Sequence, residues 1–484
     1  MAECGFGKIS LKGTFEPIWK FHTDLYMRFF YMRSAGEQLL ICVSDTLGTW
    51  ADDTRTFRKT IAEKCGIPEK SIIFHELQIH ASISGPEMHK AMEAVTERAV
   101  KAVNEVKASA VTFTCEAAEA YFGRECSFNR EQYVEGLGGV TVWTGMRFDE
   151  NGRPYTDDES IMLLLDYRPG LENIKNRIYF DNANDPLAYL FVFRDAEGKV
   201  IGSISRFASH PDVAVLFEHR PVDGKQDMYH YDFDWPGYLS EKLETTLGGS
   251  SIYLNGPCAD LTSKKGYDGI DDFYDSDNEC RRLGELFASK LIDAYNKGAR
   301  QIDCGTLKTD TFKVTVPMRS DMPSSVKAAY DERDALMAKA KAEYELSKSD
   351  GSTPSEVKKK IDDYWRSMYN GPMVYDICGF NDETLEKREV GIDIPVVKLG
   401  EYLFVGVPGE SLVETSLVLR SSLTGSKTVT LDQCDGYYGY MATPRSLRLG
   451  GYTYWCSWTT SETFPCMIEQ IIEKINKFNG DTEK

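Results

Sequence analysis

Seven histidines punctuate the chain: His22, His75, His80, His89, His210, His219 and His230. Two of them stand where chemistry is easiest to build. His210 follows the apolar run VIGSISRFAS and precedes Pro211, so it falls where a strand stops and the backbone turns away. His80 closes SIIFHELQIH in the same way. Two strand-end imidazoles joined by a carboxylate make a donor set suited to zinc, a borderline ion that accepts nitrogen and oxygen ligands alike. Neither HExxH nor a GxSxG nucleophile elbow is present, which argues against a helix-borne metalloprotease site and against Ser-based hydrolysis. Spacing alone leaves each histidine equally readable as a satisfied core or surface residue.

The elements that would carry these residues follow an α/β grammar. GEQLLICVSDTL reads as a buried strand ending near Ser44 and Asp45, followed by a helix through TRTFRKTIAEKC that Gly66 and Pro68 stop. SIIFHELQIH reads as the next strand and ASISG as a loop, after which Pro86 opens a long helix. Met88, Met92, Val95, Ala99, Val103 and Val106 recur at helical steps along it. Such an order places ligand chemistry at the carboxyl ends of strands. Farther on, residues 322–370 are rich in Ala, Lys and Glu and read as an inserted helical hairpin broken at KSDGSTP. Thr353, Pro354 and Glu356 there form a capping box. A lid, a contact in a homo-oligomer and a plain surface elaboration all remain open for it. IPVVKLGEYLFVGVPGES reads as a strand pair turned at Gly400, and FPCMIEQIIEKI as a terminal helix.

Bulk properties narrow the function. With 484 residues, 42% of them apolar and 12% aromatic, the chain can bury a large core. A net charge of −19 argues against nucleic acid or an anionic membrane surface as partner. No run reaches the roughly 18 apolar residues that a membrane span needs. The 12 cysteines are scattered singly with no CxxC, which excludes a zinc ribbon or a thioredoxin-like motif. The opening MAECGFGKIS has no basic region followed by an apolar one, so a cytoplasmic location with reduced thiols is expected.

The runs RFASHPDVAVLF, YDFDWPGYLSEKLE, YLNGPCADLTS and ECRRLGELFASKLIDA occur in the order and spacing found in the catalytic domain of the neutral, non-lysosomal ceramidases, and the chain resembles that family. EYLFVGVPGES is similar to its strand ending in Pro-Gly-Glu, and DGYYGYMATPRSLRLGGYTY to its closing tyrosine segment. IPEKSIIFHELQIHASISGP takes the place of its His-Thr-His-Ser-Gly-Pro loop, and CSFNREQY that of its Asn-Arg segment. The resemblance runs from about Gly7 to Trp458. It implies a mixed-sheet α/β ceramidase-like catalytic domain spanning 1–484, with the helical insertion within it; the secreted members of that family carry an immunoglobulin-like domain after the catalytic one, and a departure from them in lacking it is expected here.

Carried over residue by residue, the resemblance implies one Zn2+ per chain, held by His80, His210, Glu410 and Tyr440. Aligned without a gap, Gln78 falls on the family's ligating histidine and His80 on the histidine two positions later; a shift of two makes His80 the ligand. A glutamine amide is a poor zinc ligand, so His80 is preferred. Arg130 and Tyr452 would steady an oxyanion, Asp234 and Asp260 would orient histidines, and a histidine would pass a proton to the departing amine. His80 is therefore counted among the catalytic groups as well. Asp260 and Thr262 belong to a turn that reads Gly-Asp in the family and Cys258-Ala259-Asp260 here, with Thr262 at a position that often bears serine. The reaction implied is zinc-dependent hydrolysis of an amide, either an N-acyl lipid such as ceramide or another small-molecule amide. Gln78, Ala259 and Thr262 keep an alternative open, a ceramidase-like binding or scaffold protein without catalysis.

Overall fold

The computed structural model describes residues 2–124, 126–141, 178–179, 183–214, 230–263, 276–372 and 378–480; His219 falls outside them. A nine-stranded mixed sheet forms the first layer. From one edge its strands run Ser250–Asn255, Val200–Phe207, Leu187–Asp195, Val111–Tyr121, Glu3–Ser10, Tyr26–Ser34, Glu37–Ser44 and Ile72–Glu76, with Arg300–Ile302 also paired to Val111–Tyr121. Tyr26–Ser34 and Glu37–Ser44 meet through Ala35-Gly36, both at positive φ (51° and 89°), the twist a tight hairpin requires. The pairings at the two outer edges are parallel (Glu37–Ser44 with Ile72–Glu76, and Val200–Phe207 with Ser250–Asn255). Parallel neighbours bring carboxyl ends to one side, and both edge strands end toward the site described below.

Helices cover the sheet. Ala51–Cys65 ends at Gly66 in the left-handed conformation (φ 62°), as its sequence requires. Gly85–Ala108 begins with a Ser84/Glu87 capping box. Asp234–Leu247 and Ser276–Gly298 pack so closely that a Cβ on Gly284 would lie 2.7 Å from the Trp235 carbonyl. The larger core lies between this sheet and its helices and includes an aromatic knot of Phe6, Phe30 and Phe193.

A second sheet, of Leu307–Pro317, Glu389–Leu399, Tyr402–Gly406 and Lys427–Leu431, carries its own core together with the terminal helix Thr463–Asn479. Glu389–Leu399 and Tyr402–Gly406 turn at Gly400 (φ 56°), as expected. The predicted hairpin is present as Arg333–Ser347 and Pro354–Pro372, preceded by the short helix Val326–Asp331. One expectation fails: the strand over SIIFHELQIH stops at Glu76, because Gln78 takes φ 60° and leaves the extended conformation.

Arg206, fully buried, joins the two sheets. It donates to Asp185 (2.8 Å), to the Thr430 carbonyl (3.0 Å) and to Ser416 (3.3 Å). Burial alone would raise Asp185, but Arg206 and Arg420 hold it below the ordinary carboxylate range. Removing one member of a buried ion pair strands the other and costs about 3–5 kcal/mol. Arg206→Met is therefore expected to lower the free energy of urea unfolding by that amount, and a loss of under about 1 kcal/mol would contradict the role.

Candidate functional site

Segments from distant parts of the chain end at one place, where backbone hydrogen bonds tie them together. The His80 amide donates to the Pro211 carbonyl (3.1 Å), the His210 amide to Leu261 (3.4 Å) and the Arg130 amide to Asp260 (2.7 Å). Leu261 and Thr262 pair with Asn129 and Phe128, and Thr262 also bridges His210. Glu410 and Tyr440 lie directly opposite one another in a short parallel pair. Gly409 is at φ 57°, and a Cβ there would come within 2.6 Å of the Gly439 carbonyl, so the glycine of Pro-Gly-Glu is obligatory.

The side chains converge accordingly. The His80 and His210 rings lie 5.1 Å apart between centroids. His210 Nδ1 lies 2.8 Å from the Cys258 carbonyl, an acceptor only, so Nδ1 carries the proton. This turns Nε2 toward Glu410, whose Oε2 is 3.7 Å away, beyond hydrogen-bond reach. Glu410 Oε1 accepts from the Tyr437 hydroxyl. Tyr440 accepts from Arg130 Nη2 at 2.6 Å. The same guanidinium is anchored on the Ala259 carbonyl (3.1 and 2.7 Å), and its Nη1 is 3.8 Å from Asp212. Tyr452 meets Tyr440 edge-on with ring centroids 5.4 Å apart. Gln78 is buried beside Glu410, and its Oε1 is 3.8 Å from Cys258 Sγ. Gln78 and His80 thus both reach the site, although a kinked backbone rather than a shared strand face brings them there.

Dryness dominates the electrostatics. Burial pushes Glu410 above the ordinary carboxylate range, against the Tyr437 hydroxyl, the neighbouring polar groups of Gln78 and Tyr440 and the charge on Arg130. Burial also raises the Tyr440 phenol well above its usual value, with Arg130 opposing. For Arg130 burial favours the neutral form, yet Tyr440, Asp212 and Glu410 outweigh it and keep the guanidinium charged. A site holding a desolvated carboxylate and two imidazoles fits a divalent cation. Glu410 Oε2 is buried with no hydrogen-bond donor among the described residues, and the donor types match zinc.

The remaining predicted residues brace this set. Asp260 accepts from Asn129 Nδ2 (2.6 Å) and the Val413 amide (2.8 Å), and burial, followed by the nearby Glu131, pushes it up to about 7. Asp234 receives the amides of Ala214 (2.7 Å) and Trp235 (2.6 Å), and burial raises it to about 7. The expectation that Asp234 and Asp260 orient histidines differs from the geometry for His210, whose Nδ1 faces a carbonyl. Their carboxylates instead bind backbone amides and Asn129. Thr262 Oγ1 is 3.4 Å from Asp212. Tyr452 sits on a short helix that Pro354–Pro372 grips: Trp365 stacks on Trp455 at 5.5 Å, and Trp455 Nε1 donates to Asp362 at 2.9 Å.

Sequence reasoning passed over Tyr437 and Asp212. Asp212 lies two residues beyond His210, a spacing that could have pointed to it. Tyr437 was hidden among three tyrosines within four residues, Tyr437, Tyr438 and Tyr440.

No family model matches the chain, and no curated protein matches it in sequence. Solved structures do match its fold. A ceramidase complexed with C2 superposes with a TM-score of 0.64 at 13% identity, covering 97% of this chain and 74% of that one. Neutral ceramidase from Pseudomonas aeruginosa gives 0.60 at 13% identity, covering 97% and 73%. The likeness assigns this chain the ceramidase fold.

Groups that orient a ligand typically change metal affinity by about 10–100-fold when removed. Tyr437→Phe deletes only the hydroxyl that holds Glu410 Oε1. It is expected to weaken zinc binding by about that factor in a chelator competition, with the unfolding midpoint little changed; unchanged affinity would show that Glu410 is not a ligand.

Proposed function

We propose that this chain is a zinc-dependent hydrolase of amide bonds, ceramidase-like in its chemistry. The observation that carries the reading is a buried Glu410 oxygen with no hydrogen-bond donor among the described residues, with His210 Nε2 3.7 Å from it, Tyr440 opposite Glu410 in the strand pair and the His80 ring beside that of His210. These four residues would hold the ion. When bound, zinc supplies Lewis acidity and acidifies a water that it holds, so that attack on a carbonyl becomes feasible near neutral pH.

The chain's own groups account for the rest. Arg130, fixed on the Ala259 carbonyl and on Tyr440, offers a permanent cation in a water-poor site, where a preorganised charge stabilises a developing oxyanion most strongly. The Tyr452 hydroxyl is a second donor for the same oxygen. His210 is locked in one tautomer by Cys258, with Nε2 unprotonated, the form in which an imidazole nitrogen binds a metal. Water adds to the carbonyl carbon, the C–N bond breaks and the departing nitrogen takes a proton. His80, half-buried where His210 is fully buried, is the imidazole better placed to exchange a proton with solvent if Gln78 fills the ligand position. Asp260 fixes the turn that positions Ala259 and, through it, Arg130.

The substrate class proposed is an N-acyl amine, with ceramide the leading candidate. Purified chain should carry about one catalytic zinc and release carboxylic acid and free amine from ceramide or a shorter N-acyl amine. His210→Ala should abolish that zinc and the activity together. Arg130→Ala should keep the zinc and lower kcat by about 10²–10³. Zinc-loaded chain that hydrolyses no N-acyl amine would overturn the reading.

A further inference from the structure

Apart from the cluster around Glu410, a second set of ligand-type side chains meets near the start of the helix Asp234–Leu247. His22, His230 and Asp232 bring one donor atom each within 4.8 Å of the others. His22 Nδ1 lies 2.7 Å from Asp232 Oδ2, and the two imidazole rings are 5.2 Å apart. His22 is exposed, His230 half-buried and Asp232 fully buried, so the donors grade from solvent into the protein.

Backbone structure sets this arrangement. Lys20–Phe21 pairs in parallel with His230–Tyr231. The amides of His22 and Thr23 both donate to the Tyr231 carbonyl (2.9 and 3.3 Å), and the Phe233 amide donates to Thr23 Oγ1 (2.8 Å). Tyr231 is caged by Phe15, Trp19 and Phe21, which anchors the pair to the core. The carboxylate of Asp232 is aimed as well: Oδ1 accepts from the Asp234 amide at 2.5 Å, which leaves Oδ2 for the histidines.

We infer that His22, His230 and Asp232 form a second metal site, for a transition-metal dication such as Zn2+, Co2+ or Ni2+. Two imidazoles with one carboxylate suit these ions, whereas Ca2+ and Mg2+ prefer oxygen throughout. Metal–ligand bonds of about 2.0–2.1 Å place tetrahedral donors roughly 3.4 Å apart. The His22–Asp232 contact therefore has to open by less than about 1 Å, a movement that an exposed ring can make. An ion here would staple the N-terminal segment to the entry of the helix Asp234–Leu247. It would also brace the loop after His80, because the Asp232 amide donates to the Ala81 carbonyl at 2.7 Å. None of the three residues belongs to the proposed hydrolytic set, so the site does not depend on the amide reaction.

Titration of metal-free full-length chain with Co2+, followed by its visible spectrum, and equilibrium dialysis with Zn2+ test this. Wild type is expected to bind two equivalents, H22A/H230A one and H210A one. Two equivalents retained by H22A/H230A overturn the second site, as does a wild type that binds a single equivalent lost only in H210A. A single equivalent lost in H22A/H230A but kept in H210A supports the second site and counts against the hydrolase reading. If the double variant fails to fold by circular dichroism, H22Q alone, changed at an exposed position, should weaken one equivalent about tenfold or more. Unchanged affinity in H22Q would overturn the proposal.

Discussion

A carboxylate taken out of water must be neutralised, paired or coordinated, and Glu410 is the place where this chain faces that demand. One of its oxygens is held by Tyr437, while the other lies 3.7 Å from His210 Nε2 with no hydrogen-bond donor among the described residues. The surroundings are arranged around that oxygen. His210 is turned toward it by the Cys258 carbonyl, Tyr440 is placed opposite by strand register, and Arg130 contributes charge without occupying it. A cation shared by these groups, as proposed, would offset the desolvation cost that each of them carries separately.

Holding so many polar groups in a dry place requires a stiff frame. The turn Cys258–Thr262 acts as its hub, giving a carbonyl to His210, a carbonyl to Arg130, a strand pairing to Asn129 and a carboxylate to Val413. Beneath it, Arg206 ties the end of the His210-bearing strand to the second sheet. Each sheet alone would leave half of the site unsupported; their junction makes it.

Much of this was legible in the sequence because local rules carried it. Gly66, Pro86, Thr353 with Glu356, and Gly400 punctuate the chain where their conformations require. His210 was distinguishable from the other histidines by following the end of a strand, whereas His80, expected to close one, lies beyond the kink at Gln78. His75 shows why histidine type alone says little: its Nδ1 faces the Asp432 carbonyl and its Nε2 accepts the Asn255 amide, so it is a satisfied core residue whose pKa burial lowers to about 4. The sequence could not reveal what depends on tertiary hydrogen bonding. The backbone kink at Gln78, the grip of Tyr437 on Glu410 and the engagement of Asp260 with Val413 rather than with His210 all arise from contacts between residues far apart in the chain. Motif order located the neighbourhood, and packing decided which atom faces which.

The central claim is geometric, that one divalent ion is clasped by imidazole, carboxylate and phenol drawn from four distant segments. Anomalous diffraction from zinc-loaded crystals, collected on both sides of the zinc edge, tests it most directly. The account predicts a peak within bonding distance of His80 Nε2, His210 Nε2, a Glu410 oxygen and the Tyr440 hydroxyl. Absence of a peak among these groups in fully loaded protein would contradict it.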